Sequence, residues 1–337
     1  MVTTSTLATV KTETPPCALC PVDAPRTLGE IWMDGQMLGR MVQCQQCGLR
    51  YLSPRPSQMQ RDWLYEQEYD VDLSGEHGET RFQSVQTDQD RALGRFRRYL
   101  GQLKTPQTGA GGRRPRLLDV GAGTGQLLAL AQECGWDVSA IERSEDACRF
   151  LQKRFGSAAV VGCDLADVQG AAESYDAVIM AHVIEHLPDP LAALRRVQRL
   201  LSPGGRLLVA TPNDASLYER IWQLRQRWRG GGVANPYVAI GWENGCWRRT
   251  PTRQDTRGLI EFQILTTEHV YFFTRTTLRR VLERAGFSGI RWAPGSVAPA
   301  NSRLGRLLQS DPVNRLLFFL SRQAELMVVA DRDEEKA

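Results

Sequence analysis

The chain has 337 residues, of which 42% are hydrophobic and 24% are charged, a composition typical of a globular protein with a sizeable core. Its formal net charge is only +4, which argues against a nucleic-acid-binding protein, for which a strong basic excess is expected. Since no apolar segment near the N-terminus predicts a signal peptide and the apolar run 316–320 is too short to span a bilayer, we expect a cytoplasmic protein without a transmembrane segment.

Two cysteine pairs follow a polar N-terminal segment. Residues 1–14 are rich in threonine and are expected to form a disordered tail. Each pair has Cys-x-x-Cys spacing, which places two thiolates on one tight turn and aims them at one point. We predict a structural Zn²⁺ in a zinc-ribbon-like module of residues 15–56, and its four ligands are Cys17, Cys20, Cys44 and Cys47. Disulfide pairing is the alternative, and a reducing compartment argues against it.

Strands and helices alternate through most of the remaining chain. Residues 57–108 favour helix, and we expect a connector that packs on the next domain or covers its cleft. In the domain predicted at 109–337, the expected strands are 116–120, 138–142, 159–161, 177–180, 206–211, 290–292 and 326–330. This alternation predicts a parallel sheet with right-handed crossovers.

Two long stretches interrupt the alternation, at 213–268 and at 294–322. Insertions of this length are typical of lids or substrate platforms. The first contains Trp222, Trp228, Trp242 and Trp247, followed by Arg248 and Arg249. These residues favour an aromatic or acidic small-molecule acceptor, and the alternatives are core tryptophans and a solvated basic rim.

A glycine-rich turn follows the first predicted strand of this domain. Asp119 stands two residues before Gly121, and glycines recur at Gly123 and Gly125 before apolar residues at helical spacing. A strand, a turn without Cβ atoms and a helix N-terminus together predict a site for a nucleotide-like ligand. Gln126 occupies a position that breaks the G-x-G-x-x-G spacing of dinucleotide-binding proteins.

Three acids select between NAD and S-adenosylmethionine at this turn. Asp119 would repel a pyrophosphate but suits an ammonium group, Glu142 suits both hydroxyls of a ribose, and Asp164 suits an adenine amino group. S-adenosylmethionine carries all three groups. The predicted cofactor-binding residues are Asp119, Gly121, Ala122, Gly123, Gly125, Gln126, Glu142, Arg143, Asp164, Leu165 and His182.

These motifs, together with 182–187, 201–208 and 268–287, resemble the class I S-adenosylmethionine-dependent methyltransferases. Within that family the chain is most similar to ubiquinone-biosynthesis and other small-molecule enzymes, and the cysteine pairs resemble the zinc-ribbon extension of some bacterial members. The resemblance covers about residues 116–330. It implies an α/β, Rossmann-like fold with a seven-stranded, mostly parallel sheet, helices on both faces and the last strand inserted antiparallel.

Methyl transfer to a hydroxyl or an acidic carbon needs a base, and histidine suits that role near neutral pH. His182 follows the fourth strand of the domain, where the family places substrate-facing residues, and His269 precedes the aromatic run 271–273. We therefore predict His182 or His269 as the catalytic base, with a structural histidine as the alternative for each. The spacing His182-x-x-Glu185-His186 also matches a metallopeptidase pattern, but its position after a sheet strand favours a turn fixed by hydrogen bonds, with a weakly bound divalent ion on Glu185 and His186 as the alternative.

Three functions stay open at this point. The leading hypothesis is methyl transfer to an oxygen or carbon atom of a small molecule. The alternatives are an rRNA or tRNA methyltransferase whose zinc module contacts RNA, and a non-catalytic module that retains the cofactor. Amphipathic helical turns are predicted over 304–320; we interpret them as a cover helix, with peripheral membrane contact as the alternative. The chain is expected to be a monomer or homodimer.

Overall fold

The computed structural model describes residues 11–22, 24–33, 36–61, 86–103, 112–168, 172–217, 240–243, 246–249, 269–295, 316–318, 320 and 324–333. The chain divides into two compact units. The first comprises Met1–Tyr69 with Glu219–Phe272, and the second comprises Asp70–Tyr218 with Phe273–Ala337.

The strands in chain order are β1 (Thr12–Glu13), β2 (Pro25–Met33), β3 (Gln36–Cys44), β4 (Arg50–Leu52), β5 (Arg55–Pro56), β6 (Arg116–Val120), β7 (Asp137–Ile141), β8 (Val160–Gly162), β9 (Tyr175–Ala181), β10 (Leu201–Pro212), β11 (Ile240–Glu243), β12 (Cys246–Arg249), β13 (Tyr271–Phe272), β14 (Phe287–Ala293) and β15 (Glu325–Arg332). The helices are α1 (Gln86–Leu103), α2 (Gln126–Glu133), α3 (Glu145–Phe155), α4 (Pro190–Leu200) and α5 (Arg275–Arg284). A short 3₁₀ helix spans Ser157–Ala159.

The first unit contains a four-stranded antiparallel sheet in the order β13-β4-β3-β2. β2 and β3 have nine residues each, and β3 pairs with β2 on one side and with β4 on the other. β11 and β12 form a separate hairpin, in which Trp242 is the register partner of Trp247.

The end of the N-terminal segment that we expected to be disordered forms the strand β1. β1 pairs antiparallel with β5, so Thr12 lies opposite Pro56. The Glu13 carboxylate accepts a hydrogen bond from Arg55 Nε at 2.7 Å and from Arg61 Nη1 at 3.0 Å. These two charged donors are the physical reason that the end of the tail is ordered.

The second unit contains a seven-stranded sheet in the order β14-β15-β10-β9-β6-β7-β8. β6 to β10 run parallel, and β15 is antiparallel to both of its neighbours, β10 and β14. The prediction of a seven-stranded, mostly parallel sheet with one reversed strand is confirmed.

Both faces of this sheet are covered. Alternate strand residues such as Leu117 and Ile179 are fully buried in a cluster with side chains of α1 and α2. The residues between them, such as Leu118 and Val178, are fully buried as well, and α4 packs against both β10 and α5. Since successive side chains of a strand point to opposite faces, helices cover both.

β10 differs most from its prediction. We expected this strand at 206–211, whereas β10 begins at Leu201 and its register with β9 shifts between Leu201 and Arg206. Gly204 has a φ of +72° within this irregular part, which glycine tolerates without strain.

Several predicted features lie outside the described residues: Trp222, Trp228, residues 62–85 of the connector and residues 296–315 of the second insertion. Within the part of the chain that the structure describes, no helix combines the length and the apolar character that a bilayer crossing requires.

Candidate functional site

The glycine turn lies between β6 and α2, at the carboxyl end of a central strand. Gly121, Gly123 and Gly125 have φ values of +79°, +53° and +72°, a region that favours glycine. A Cβ on Gly121 would lie 2.6 Å from Val183 Cγ2, and one on Gly125 would lie 2.5 Å from Leu151 Cδ2. No described atom lies within 4 Å of the corresponding position on Gly123. Gly121 and Gly125 therefore stand against packed side chains, and Gly123 leaves the backbone open to a ligand.

Glu142 directly follows β7, the neighbour of β6, and is 1% exposed. Its Oε2 accepts a hydrogen bond from the Gly123 N–H at 2.7 Å. Its Oε1 accepts from the N–H groups of Arg143 at 2.8 Å and Ser144 at 2.9 Å. The structure therefore brings the predicted acid to the turn and fixes it there by three backbone donors.

Asp119 lies on β6 and is 3% exposed. Burial and the nearby charge of Glu142 raise the pKa of Asp119 to about 7. A cation placed beside this carboxyl group would favour its ionised form, so the site is suited to an ammonium group.

Asp164 and Leu165 follow β8, the next strand outward. Leu165 is buried, whereas Asp164 is exposed and its Oδ1 accepts from the Ala166 N–H at 2.9 Å. Asp167 holds this turn, because its Oδ2 accepts from the N–H groups of Cys163 at 3.1 Å and Asp164 at 2.8 Å. Sequence reasoning missed Asp167, and the Asp-x-x-Asp spacing was the available signal.

The remaining predicted cofactor residues lie around the turn. Ala122 and Gln126 are half-buried. Arg143 is exposed, and its backbone N–H donates a hydrogen bond to Glu142 Oε1.

His182 directly follows β9 and is 31% exposed. Its Nε2 lies 3.1 Å from Glu325 Oε1, and its Nδ1 lies 3.5 Å from Glu185 Oε1. Burial lowers the pKa of His182, but these two carboxylates raise it more, to about 9. Glu185 also accepts from Thr211 Oγ1 at 2.9 Å, as expected for a turn fixed by hydrogen bonds.

Sequence reasoning missed Glu325 and its partner Tyr99, whose Oη donates to Glu325 Oε1 at 2.6 Å. Tyr99 lies on α1 and Glu325 on β15, far apart in the sequence, and no local pattern relates them.

His269, the other predicted base, belongs to the first unit and is half-buried. It directly precedes Val270, whose carbonyl oxygen accepts from the Leu52 N–H at 3.0 Å. The adjacent Tyr271 stacks on Tyr51 with 6.2 Å between ring centroids.

The four predicted zinc ligands come together in the first unit. The Sγ atoms of Cys17, Cys20, Cys44 and Cys47 all lie within 4.8 Å of one another. Each cysteine turn is closed by a backbone hydrogen bond, from the Cys20 N–H to the Cys17 carbonyl at 3.4 Å and from the Gly48 N–H to the Cys44 carbonyl at 2.9 Å. Burial and the neighbouring thiols raise the pKa of Cys20 to about 11.

The donor set fits a tetrahedral zinc ion. Four thiolates at about 2.3 Å from Zn²⁺ place their sulfur atoms about 3.8 Å apart. Cys17 Sγ and Cys47 Sγ are already 3.5 Å apart. None of these four cysteines is in a disulfide bond.

Comparison with known proteins gives consistent matches. A family model described as a methyltransferase domain matches residues 85–291, more than half of the chain. A ubiquinone biosynthesis O-methyltransferase of Caulobacter sp. (strain K31) is 34% identical over 132 residues, which cover 37% of this chain and 49% of that protein. An uncharacterized methyltransferase of Mycobacterium bovis is 33% identical over 141 residues, which cover 41% of this chain and 70% of that protein. The chain thus spans about half the length of the Caulobacter relative.

Among solved structures, a SAM dependent methyltransferase from Archaeoglobus fulgidus matches with a TM-score of 0.42 and 18% identity. The match covers 80% of this chain and 99% of that one.

Proposed function

This chain belongs to the methyltransferase domain family, and on that basis we propose that it transfers a methyl group from S-adenosylmethionine to an oxygen or carbon atom of a small-molecule acceptor. The observation that carries the proposal is the pair of buried carboxyl groups at the glycine turn. Glu142 is bonded to the Gly123 N–H at 2.7 Å, and Asp119 lies on the adjacent parallel strand. Ligands of such sheets bind at the carboxyl ends of the strands, where these groups lie.

Each acid has a proposed partner on the cofactor. Asp119 would bind the ammonium group, Glu142 the ribose hydroxyls and Asp164 the adenine amino group. The open space at Gly123 supports this assignment, because a ligand can approach that backbone without meeting a side chain. The cofactor supplies a methyl group on a sulfonium, an excellent leaving group, so the protein chiefly has to align the acceptor and exclude water.

We favour oxygen as the acceptor atom, because the Caulobacter relative is named as an O-methyltransferase of ubiquinone biosynthesis. An acceptor hydroxyl loses a proton as the new C–O bond forms and the C–S bond breaks, and a base must take up that proton. His182 and His269 are the two candidates from the sequence.

We also propose that Cys17, Cys20, Cys44 and Cys47 hold a structural Zn²⁺. Support comes from the clustering of their four sulfur atoms within 4.8 Å of one another. The closed set of four thiolates leaves no position for substrate, which favours a structural ion over a catalytic one.

The proposal is tested by cofactor binding and by transfer. We expect S-adenosylhomocysteine to bind the wild-type chain in calorimetry, and E142A to weaken binding by about 2 kcal/mol, or roughly thirtyfold, since a charge-assisted contact and three amide partners are lost. The matched control is E283Q, at an exposed glutamate that pairs with Arg279 on α5. Absence of binding to the wild type would contradict the proposal.

Transfer of a radiolabelled methyl group to phenolic, carboxylic and RNA acceptors then separates the acceptor classes. H182A and H269A, assayed by single-turnover transfer to an active acceptor, test the two candidate bases. A base contributes about 10²- to 10⁴-fold to the rate, so an unchanged rate removes that residue from the role.

A further inference from the structure

A chain of polar side chains in the second unit surrounds His182. On α1, Tyr99 Oη donates to Glu325 Oε1 over 2.6 Å, and the same oxygen lies 3.1 Å from His182 Nε2. On the other side of the ring, Nδ1 lies 3.5 Å from Glu185 Oε1. Tyr99, Glu185 and Glu325 are at most 5% exposed, so water screens these contacts poorly.

Nε2 of His182 thus lies at hydrogen-bond distance from Glu325, and Nδ1 lies at ion-pair distance from Glu185. A neutral imidazole has one N–H and one lone pair, whereas an imidazolium donates from both nitrogens. An ionised carboxylate only accepts, so a carboxylate at each nitrogen favours the cation. In its cationic form the ring has no lone pair that could take a proton from an acceptor.

The backbone that carries the ring also shapes the cofactor turn. His182 has a φ of +57°, a left-handed conformation that is uncommon for a residue with a Cβ, and its N–H donates to the Ala210 carbonyl at 2.8 Å. The next residue, Val183, fills the space where a Cβ of Gly121 would stand, 2.6 Å from Val183 Cγ2. The ring contacts and the glycine turn are thus joined through two consecutive residues.

Charged and titratable groups face the ring from each element packed against it. Glu185 of its own loop and Glu325 of β15 face the ring directly. His186 acts through Glu185, and Tyr99 of α1, with the charges of Arg95 and Arg98, acts through Glu325. Burial alone would lower the pKa of His182, and the two carboxylates outweigh it.

We propose that Glu325 is a positioning residue that holds His182 as a cation at neutral pH, that Tyr99 orients Glu325, and that this cation seats Val183 against the cofactor turn instead of accepting a proton from the acceptor. The proposal rests on the proposed function only in taking the turn 121–125 as the cofactor site. It assigns His182 a role different from the base that the sequence suggested.

The charge on His182 is measured directly by NMR. The full-length chain is labelled with ¹⁵N-histidine, and the signals of His182 among the four histidines are identified by their absence in H182Q. At pH 7.5 we expect imidazolium shifts for both nitrogens and a titration midpoint near 9. A neutral ring at pH 7.5 would overturn the proposal.

Two variants distinguish positioning from a general loss of structure. E325Q removes one of the two carboxylates, so the midpoint of His182 should fall by at least about one pH unit. Y99F removes only the hydroxyl that orients Glu325, so His182 should stay charged at pH 7.5. If the titration midpoint of His182 is the same in E325Q as in the wild type, the assignment is contradicted. This midpoint can be measured as long as E325Q folds. If E325Q does not fold, the wild-type midpoint and Y99F still decide the question.

Binding of S-adenosylhomocysteine by calorimetry provides the second readout. We expect E325Q and Y99F to weaken binding by about five- to tenfold through loss of pre-organisation, with E283Q as the control. Unchanged affinity in both variants would refute the link to the cofactor turn. A wild type that binds no S-adenosylhomocysteine but carries a charged His182 would instead refute the proposed function and leave the charge assignment standing.

Discussion

Asp119 and Glu142 are two buried carboxyl groups on neighbouring parallel strands, and their surroundings divide two tasks between them. Glu142 accepts three backbone hydrogen bonds, including one from the turn itself. For Asp119, burial and the nearby charge of Glu142 raise the pKa to about 7. Glu142 is therefore suited to shaping the turn, and Asp119 to responding to the charge of a ligand.

This difference predicts a pH-dependent affinity. The ammonium group of S-adenosylhomocysteine favours ionised Asp119, so binding near neutral pH releases a proton, and affinity rises as the pH rises through the pKa of about 7. We expect binding in calorimetry to be about tenfold weaker at pH 6 than at pH 8, because one pKa unit corresponds to a factor of ten. D119N should bind weakly and with little pH dependence over this range. A wild-type affinity that does not change with pH would contradict the ammonium contact.

At the scale of elements, the strand–turn–helix unit from β6 to α2 has three glycines with positive φ but with different surroundings. A Cβ on Gly125 would meet Leu151 at 2.5 Å and Phe155 at 2.6 Å, both on α3. A Cβ on Gly123 would meet no described atom within 4 Å. Gly125 therefore permits the packing of α3 on the turn, and Gly123 permits the approach of a ligand.

Alanine variants of these glycines should separate stability from binding. G125A combines overpacking with left-handed strain and should lower the free energy of unfolding by roughly 2–4 kcal/mol. G123A has the strain alone, about 1–2 kcal/mol, but should weaken S-adenosylhomocysteine binding by about tenfold or more because its Cβ occupies the ligand's approach. Denaturant unfolding and calorimetry measure the two effects.

Gly135 supplies the matched control for G123A. It has a φ of +90°, and no described atom lies within 4 Å of its Cβ position, but it follows α2 at the end away from the turn. G135A should therefore share the strain of G123A and bind S-adenosylhomocysteine normally. Equal losses of binding in the two variants would show that strain, and not ligand approach, is responsible.

At the scale of the whole molecule, the two units differ in how they are stabilised. The second unit has a sheet with fully buried residues on both faces, such as Leu117 and Leu118 on β6. The described part of the first unit contains a four-stranded sheet and a cluster of four thiols. A small module commonly depends on a metal or on disulfides, so zinc should matter mainly to the first unit.

Removal of a cysteine ligand should therefore cost both metal and stability. We expect about one zinc per wild-type chain by elemental analysis, and loss of it in C44S, with the Tm of the first unit lowered by roughly 10 °C or more. C134S is the control, because Cys134 is an exposed thiol outside the cluster. A zinc-free wild type whose unfolding is unaffected by metal addition or chelation would contradict the assignment.

Much of the second unit was predictable because its signals are local. The helix α3 begins directly after Ser144, whose hydroxyl oxygen accepts from the Ala147 N–H at 3.3 Å and caps the helix, as a serine before an apolar helical pattern predicts. The acids Asp119 and Glu142 were predictable for the same reason, since each follows from its position relative to one strand. The family assignment made from these motifs is confirmed.

Other features have no local signal. The pairing of β13 with β4 joins Tyr271 to Tyr51, and nothing near either residue indicates the other. The order of β14 and β15 at the edge of the sheet came from the resemblance and not from periodicity, because a strand pattern does not specify its neighbour.

The sequence by itself determined the alternating strands and helices, the glycine turn, the acids behind it and the two cysteine turns, because each depends on residues a few positions apart. Only the tertiary structure decided what surrounds His182. Its two carboxylates come from its own loop and from β15, and Tyr99 reaches Glu325 from α1. A charge state depends on every group that surrounds a side chain in space, and chain folding brings those groups together from distant parts of the sequence.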